Sequence, residues 1–300
     1  MNSYFPRLFI TKKLVSIYDP NNIRRKTGAK IRSKRSIIQG SNGEKFLVDL
    51  SDHIDWHLFL NGNFENICIE IIKRLPESEK WLFVDVGANF GTETIGISLT
   101  NRVTAIEPLE DMVFRLIENA QINEVPRIET FQTALVSHQT MNEGIETISL
   151  YRNEGNSGAT SSRRDWNPSH ASPIEVAVPI TTLDAIWKKS IQMWQESRVF
   201  IKIDVEGQEL EVLRGSHRVL AELSPLVIME YRPDLLGSRE SWELIEYLLS
   251  LQEFSIFSAQ LTDNAIRIEP WEVLSRKQSS NILLIPSHCK ESILEYLLSH

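Results

Sequence analysis

Two clusters of residues in this 300-residue chain could do chemistry. The first is Asp85-Val86-Gly87-Ala88-Asn89-Phe90-Gly91. It follows a short apolar run from Trp81 to Val86, and the segment after it, from Thr92, has helical character. Gly87 lets the backbone turn tightly, and Gly91 lets a helix start approach a ligand with no Cβ in the way. A helix start presents unpaired N–H groups and a partial positive charge, which favour a carboxylate or a phosphate. The second cluster is Lys202, Asp204 and Glu206 in IKIDVEG. In an extended segment residues 202 and 204 share one face, and Ile201, Ile203 and Val205 share the other. A Lys on a central strand needs a partner or gives up its charge. Asp204 would lie at the strand's carboxyl end, where open α/β sheets bind ligands. Its other reading is a cap for a helix starting near Glu206.

The glycine turn narrows the ligand. A dinucleotide fingerprint reads GxGxxG, and its middle glycine crowds a pyrophosphate. Here that position is Asn89, which argues against an NAD-dependent oxidoreductase, the competing reading. S-adenosylmethionine (SAM) has no pyrophosphate, and its ammonium group suits an acid such as Asp85. Glu107 follows twenty positions after Gly87, at the end of a second strand VTAIEP. Nucleotide-binding α/β folds place there the carboxylate that bonds the ribose hydroxyls. The expected cofactor contacts are therefore Asp85, Gly87, Asn89, Gly91, Thr92 and Glu107, with Thr133 and Ala134 at the end of a third strand region.

These residues need a scaffold. From Trp81 the chain reads strand, helix, strand, helix, strand, the order of a doubly wound parallel sheet. The pattern breaks at 138–180 into two β segments around a loop rich in Gly, Ser, Asn and Pro, expected to lie over the site as a lid. It resumes at RVFIKIDVEG, and PLVIMEYRP, FSIFSA and NILLIP supply further strands. The expectation is an α/β fold: a seven-stranded, mostly parallel sheet with helices on both faces and an inserted β/loop segment. Residues 81–300 would form this domain, 45–80 a segment packing on it, and 1–44 a basic N-terminal arm. In the inserted loop Asn156, Arg163, Trp166 and His170 could read a polar acceptor, with Trp166 a face for a ring to stack on.

Composition bounds the alternatives. An apolar fraction of 42% and a charged fraction of 24% suit a packed globular protein and exclude disorder of the whole chain. Net charge is −8, yet residues 1–40 hold ten Lys and Arg against the single acid Asp19. Such an arm could touch an anionic membrane surface, whereas the acidic remainder speaks against a nucleic-acid track. Cys68 and Cys289 form no CxxC pair, so no zinc or redox motif is present. Two distant cysteines suit a reducing cytoplasm. Pro6, Arg7, Lys12 and Lys13 interrupt any signal-peptide core, and no apolar run reaches the ~20 residues of a membrane span.

The blocks FVDVGANFGTET (83–94), AIEP (105–108), IKIDVEGQELEVLRG (201–215), VIMEY (227–231) and NILLIP (281–286), together with FLNGNFEN (59–66) and TLDAI (182–186), resemble in this order the FkbM-type methyltransferase family. The resemblance covers roughly residues 45–290. It implies a class I, Rossmann-like methyltransferase fold and methyl transfer from SAM, usually to a hydroxyl oxygen. Family acceptors include sugars, glycan- or lipid-linked saccharides and polyketide-type products; methylation of nitrogen stays open. Oxygen methylation requires positioning and removal of the acceptor proton. Asp204 is the first candidate base, followed by Lys202, Glu206 and His170. A Mg²⁺ ion held by Asp204 and Glu230 could acidify the hydroxyl instead, but two carboxylates are a thin basis for it.

Overall fold

The computed structural model describes residues 35–125, 128–153, 156–164, 173–195, 197–262, 265–271 and 279–299. Residues 1–34, which hold most of the expected basic arm, and the expected acceptor residues Trp166 and His170 lie outside that set. A hairpin of β1 (Ser36–Gln39) and β2 (Lys45–Val48) opens the described chain, so residues read as the end of the arm are folded. Asn119 on the helix Glu110–Ile122 and Asn123, which caps its end, accept from the N–H groups of Leu47 and Lys45 respectively and fix the hairpin to the body.

The central sheet contains β3 (Trp81–Val86), β4 (Arg102–Ile106) and β5 (Ile128–Phe131). An insertion follows, made of β6 (Ala134–Leu135), β7 (Thr147–Asn153), β8 (Asn156–Ser161) and β9 (Ile174–Thr181). The sheet then resumes with β10 (Arg198–Ile203), β11 (Leu226–Tyr231), β12 (Phe254–Thr262), β13 (Ala265–Pro270) and β14 (Ser280–Pro286). Its order is β13-β12-β14-β11-β10-β3-β4-β5. Strands β5, β4, β3, β10 and β11 run parallel; β14 is antiparallel to both β11 and β12. The sheet thus has eight strands, one more than expected. The addition is β13, which pairs antiparallel with the outer side of β12 and alternates buried Ile266 with exposed neighbours.

Both faces are covered, which is why β3 and β10 read as nearly continuous apolar runs. Leu82, Val84, Val86, Ile201 and Ile203 pack into one core with the helices Leu183–Lys189 and Pro233–Ser250. Phe83, Phe200 and Ile228 pack into another with the helices Ile67–Arg74 and Lys290–Leu298. The chain leaves β3 toward β4 and β5, then returns to β10 on the other side of β3. That reversal opens a crevice at the carboxyl ends of the strands, where such sheets take ligands. The insertion forms its own four-stranded sheet, β6-β9-β7-β8. No helix among the described residues is long and apolar enough to cross a membrane.

Candidate active site

A cavity of about 380 Å³ occupies the crevice. Gly87, Ala88, Asn89 and Thr92 line one side, and Glu107, Thr133 and Ala134 line the next. Lys202, Asp204, Glu206, Glu230 and Arg232 close the other end, and Asn156 to Thr160 of β8 cover it. Of the expected cofactor residues, Gly87, Asn89, Thr92, Glu107, Thr133 and Ala134 thus meet in one place. Asp85 and Gly91 do not line it.

Each of these positions has a local cause. Gly87 has φ +87°, and a Cβ there would lie 1.9 Å from the carbonyl oxygen of Asp204. The glycine is therefore required by the approach of the chain beyond β10, whose Asp204 N–H donates to the Val86 carbonyl. Asn89 is also left-handed, at φ 49°. Its N–H donates to Glu107 Oε2 at 2.9 Å, and the Leu109 N–H donates to Glu107 Oε1 at 2.9 Å. Burial pushes the Glu107 carboxyl up to about 7 against the pull of those two donors. Glu107 so braces the turn and faces the cavity at once. Gly91, at φ +92°, stands at the N-terminus of the helix Thr92–Ser98.

Asp85 stands on β3 one residue before Val86, which lines the cavity. It is buried, the Thr94 hydroxyl donates to Oδ2 at 2.5 Å, and Oδ1 accepts no hydrogen bond among the described residues. Lys202 is its register partner on β10. The Lys202 ammonium lies 3.1 Å from Asp204 Oδ2, 3.6 Å from Glu93 Oε2 and 3.8 Å from Glu65 Oε2. Burial works against its charge, but Asp204, Asp85, Glu93 and Glu65 outweigh it and hold the ammonium protonated. The expectation that this Lys needs partners is met by four acids, none of which the sequence had singled out as its partner.

Asp204 is not a helix cap. The next helix is Glu209–Arg214, and the carboxylate of Glu209 itself accepts from the Val205 and Gly207 N–H groups. Asp204 is left to face the cavity. Asp204, Glu206 and Glu230 each offer an oxygen within 4.8 Å of the others, a set a divalent cation could take. Arg232 stands 3.8 Å from both Glu206 and Glu230 and already brings positive charge there. Burial first, then the charge of Asp204, pushes Glu206 up to about 9 and Glu230 up to about 8.

Arg163 corrects an expectation: it does not line the cavity. Its guanidinium donates to the Leu235 carbonyl at 2.6 Å and ties the insertion to the body. Asn156 does line the cavity. Ser157 beside it donates its N–H to Asp52 Oδ2 at 2.8 Å, and the Ser161 hydroxyl donates to the Glu206 carbonyl at 2.8 Å. The insertion is therefore held over the crevice from both ends of β8. Among the histidines, His53 borders the cavity, while His138 pairs with Asp184 at 2.7 Å and does not line it.

A model of the family described as "Methyltransferase FkbM domain" matches residues 85–254, more than half the chain. Among solved structures, the methyltransferase FkbM from Methylobacillus flagellatus KT is similar at 17% identity, with a TM-score of 0.43, over 88% of this chain. The chain spans 60% of that protein's length. The precorrin-6y C5,15-methyltransferase from Geobacter metallireducens GS-15 is similar at 11% identity and a TM-score of 0.35, over 73% of this chain and 87% of that one. TYW2 from P. horikoshii, solved with MeSAdo, is similar at 12% identity and a TM-score of 0.35, over 83% of this chain and 69% of that one. No curated protein matches the chain.

Proposed function

The chain belongs to the FkbM methyltransferase domain family, and from that premise we propose that it transfers the methyl group of SAM to a hydroxyl oxygen of a saccharide or other small polyhydroxyl acceptor. One observation carries the reading. Glu107 and the Gly87–Asn89 turn face the same cavity as Asp204, from the carboxyl ends of neighbouring strands.

In this reading Glu107 accepts from the ribose hydroxyls, and Thr133 and Ala134 border the adenine side. The buried carboxyl of Asp85, which burial pushes above the ordinary carboxylate range, meets the ammonium end of SAM, whose charge favours its ionised form. Asp204 takes the proton of the acceptor hydroxyl as its oxygen attacks the methyl carbon in line with the sulfur. The C–O bond forms, the S–C bond breaks, and its electron pair returns to sulfur to leave S-adenosylhomocysteine. Lys202 fixes Asp204 through their 3.1 Å ion pair. Glu206, with its raised pKa, stores a proton at the rim. The scheme routes no step through magnesium; Arg232, 3.8 Å from both Glu206 and Glu230, supplies the positive charge beside them.

Titration of the protein with SAM in a calorimeter tests donor binding. Glu107→Ala is expected to weaken it roughly 10–100-fold, the cost of a lost charge-assisted contact. Asp204→Asn is expected to bind SAM within a few-fold of the parent while lowering turnover roughly 10²–10⁴-fold. No SAM binding by the parent, or no effect of Glu107→Ala, would sink the reading.

A further inference from the structure

A second cavity, of about 280 Å³, adjoins the first. The two share Glu65, Lys202, Asp204 and Glu230 in their walls. Beyond that shared wall the second cavity is bounded by Cys68, Glu93, Met229, Leu261 and Asn281. It lies over the ends of β10 and β11, beside the entry to β14, on the face of the sheet that carries Lys202.

This cavity gathers four carboxyl groups around one ammonium. Glu65, Glu93 and Asp204 share the single ammonium of Lys202. Glu230 has Arg232 at 3.8 Å, but Arg232 does not line this cavity. Glu93 is the pointed case, because it is 1% exposed. Its Oε1 accepts from the Cys68 N–H at 2.8 Å, whereas its Oε2 has only the Lys202 ammonium at 3.6 Å, beyond hydrogen-bond reach, and accepts no hydrogen bond among the described residues. A buried carboxylate oxygen without a donor costs stability unless something completes it. Burial pushes Glu93 up to about 7 despite Lys202, so a second cation within reach would restore its charge. Ile67, Ile228, Met229 and Leu261 add apolar walls, with Asn66 and Asn281 also lining the cavity. Those apolar walls suit the carbon face of a ring.

The geometry points to this second cavity as the acceptor pocket, built for an acceptor that carries a protonated amine beside the hydroxyl to be methylated, such as an amino sugar. The ammonium completes Glu93, with Glu65 at the mouth. The hydroxyl meets Asp204 at the wall shared with the donor cavity. The inference rests on the proposed methyl transfer, and it narrows the acceptor within that reaction.

The test uses the full chain in two steps. Calorimetry with S-adenosylhomocysteine first reports the donor site alone. The loaded protein is then titrated with methyl 2-amino-2-deoxyglucoside, its N-acetyl counterpart and methyl glucoside, and each is assayed for methyl uptake from SAM. The amine is expected to bind at least about tenfold more tightly than either neutral sugar, the worth of one charge-assisted contact. Glu93→Gln keeps the oxygen that accepts from Cys68, and is expected to collapse that ratio toward one while retaining S-adenosylhomocysteine affinity. Glu65→Gln, on a half-exposed side chain, is expected to lower the ratio in the same direction. Equal binding of the three sugars by a protein that binds S-adenosylhomocysteine overturns the inference and leaves the methyltransferase reading intact. So does a Glu93→Gln protein that folds, binds S-adenosylhomocysteine and keeps the amine preference. Failure to bind S-adenosylhomocysteine is a failure of the parent reading instead.

Discussion

A methyl group on Gly87 would have to share space with the Asp204 carbonyl, 1.9 Å away, on a backbone at φ +87°. Gly43 is equally left-handed, at φ +94°, but a Cβ there meets nothing within 4 Å. The pair separates steric need from backbone need. Gly43→Ala is expected to cost about 1–2 kcal/mol, the left-handed penalty alone. Gly87→Ala is expected to cost on the order of 3–5 kcal/mol and to abolish SAM binding with it, because the strand ends must part. Chemical denaturation of both variants measures the difference; equal losses would mean that the turn yields without moving Asp204. At this scale the sequence was informative wherever function follows from local spacing. Gly87, Asn89 and Glu107 lie on one strand-turn-helix-strand path, so their meeting could be read. Glu65 and Arg232 could not be read in the same way, since they reach the cavity from separate elements. Arg232 does follow directly on a strand, and that strand-end position was the usable signal. Arg163 misled because a basic residue in a polar loop reads the same whether it meets a ligand or, as here, a backbone carbonyl.

β8 is the element whose role was least legible. Asn156-Ser157-Gly158-Ala159-Thr160-Ser161 has the small, polar composition of a loop, yet it is a strand with alternating burial. The polar atoms of Ser157 and Ser161 are satisfied by tertiary partners, and composition carries no trace of those. Asp52 is the principal one. Its Oδ1 accepts from the Ile54 N–H at 2.9 Å and caps the helix His53–Asn61, while its Oδ2 accepts from the Ser157 N–H. One carboxylate thus joins the helix start to the strand over the cavity. Asp52→Ala is expected to cost about 1–2 kcal/mol from the lost cap and contact. It is also expected to weaken SAM binding several-fold, because Ser157 to Thr160 line the donor cavity. Parallel thermal melts and SAM titrations check both. Lost stability with unchanged SAM affinity would make β8 a passive cover. The edge strand β13 escaped the sequence reading for a related reason. Only Ile266 is buried on it, so AIRIEP lacks the apolar density that marked the central strands. Those central strands were legible because burial on both faces leaves a continuous apolar run.

Over the whole molecule, the site gathers buried acids that prefer to hold protons. Burial raises Glu93, Glu107 and Glu209 to about 7, Glu230 to about 8 and Glu206 to about 9, from an ordinary value of 4.5. In each the folded form binds its proton more tightly than the unfolded chain does. The stability from these groups is therefore fully present below about pH 4.5 and is lost as pH rises through 7 to 9. Asp234 and Glu77 have the opposite sign. Hydrogen bonds from Arg232 and Lys80 lower them, so their contribution is lost only under acid conditions. The ligand-free protein is then expected to melt highest near pH 5–6, and its Tm to fall on the order of 5 °C between about pH 6 and pH 9. SAM would bring a sulfonium and an ammonium to the cavity that Glu107, Glu206 and Glu230 line. It should favour their ionised forms, flatten that fall and release protons on binding near pH 7. Calorimetry in two buffers of different ionisation enthalpy counts those protons directly. A Tm that rises from pH 6 to pH 9, together with no proton release, would mean that the acids are already charged before the donor arrives. The cavity's acidity would then be answered by the protein's own Lys202 and Arg232, leaving no vacancy for a cationic donor to fill.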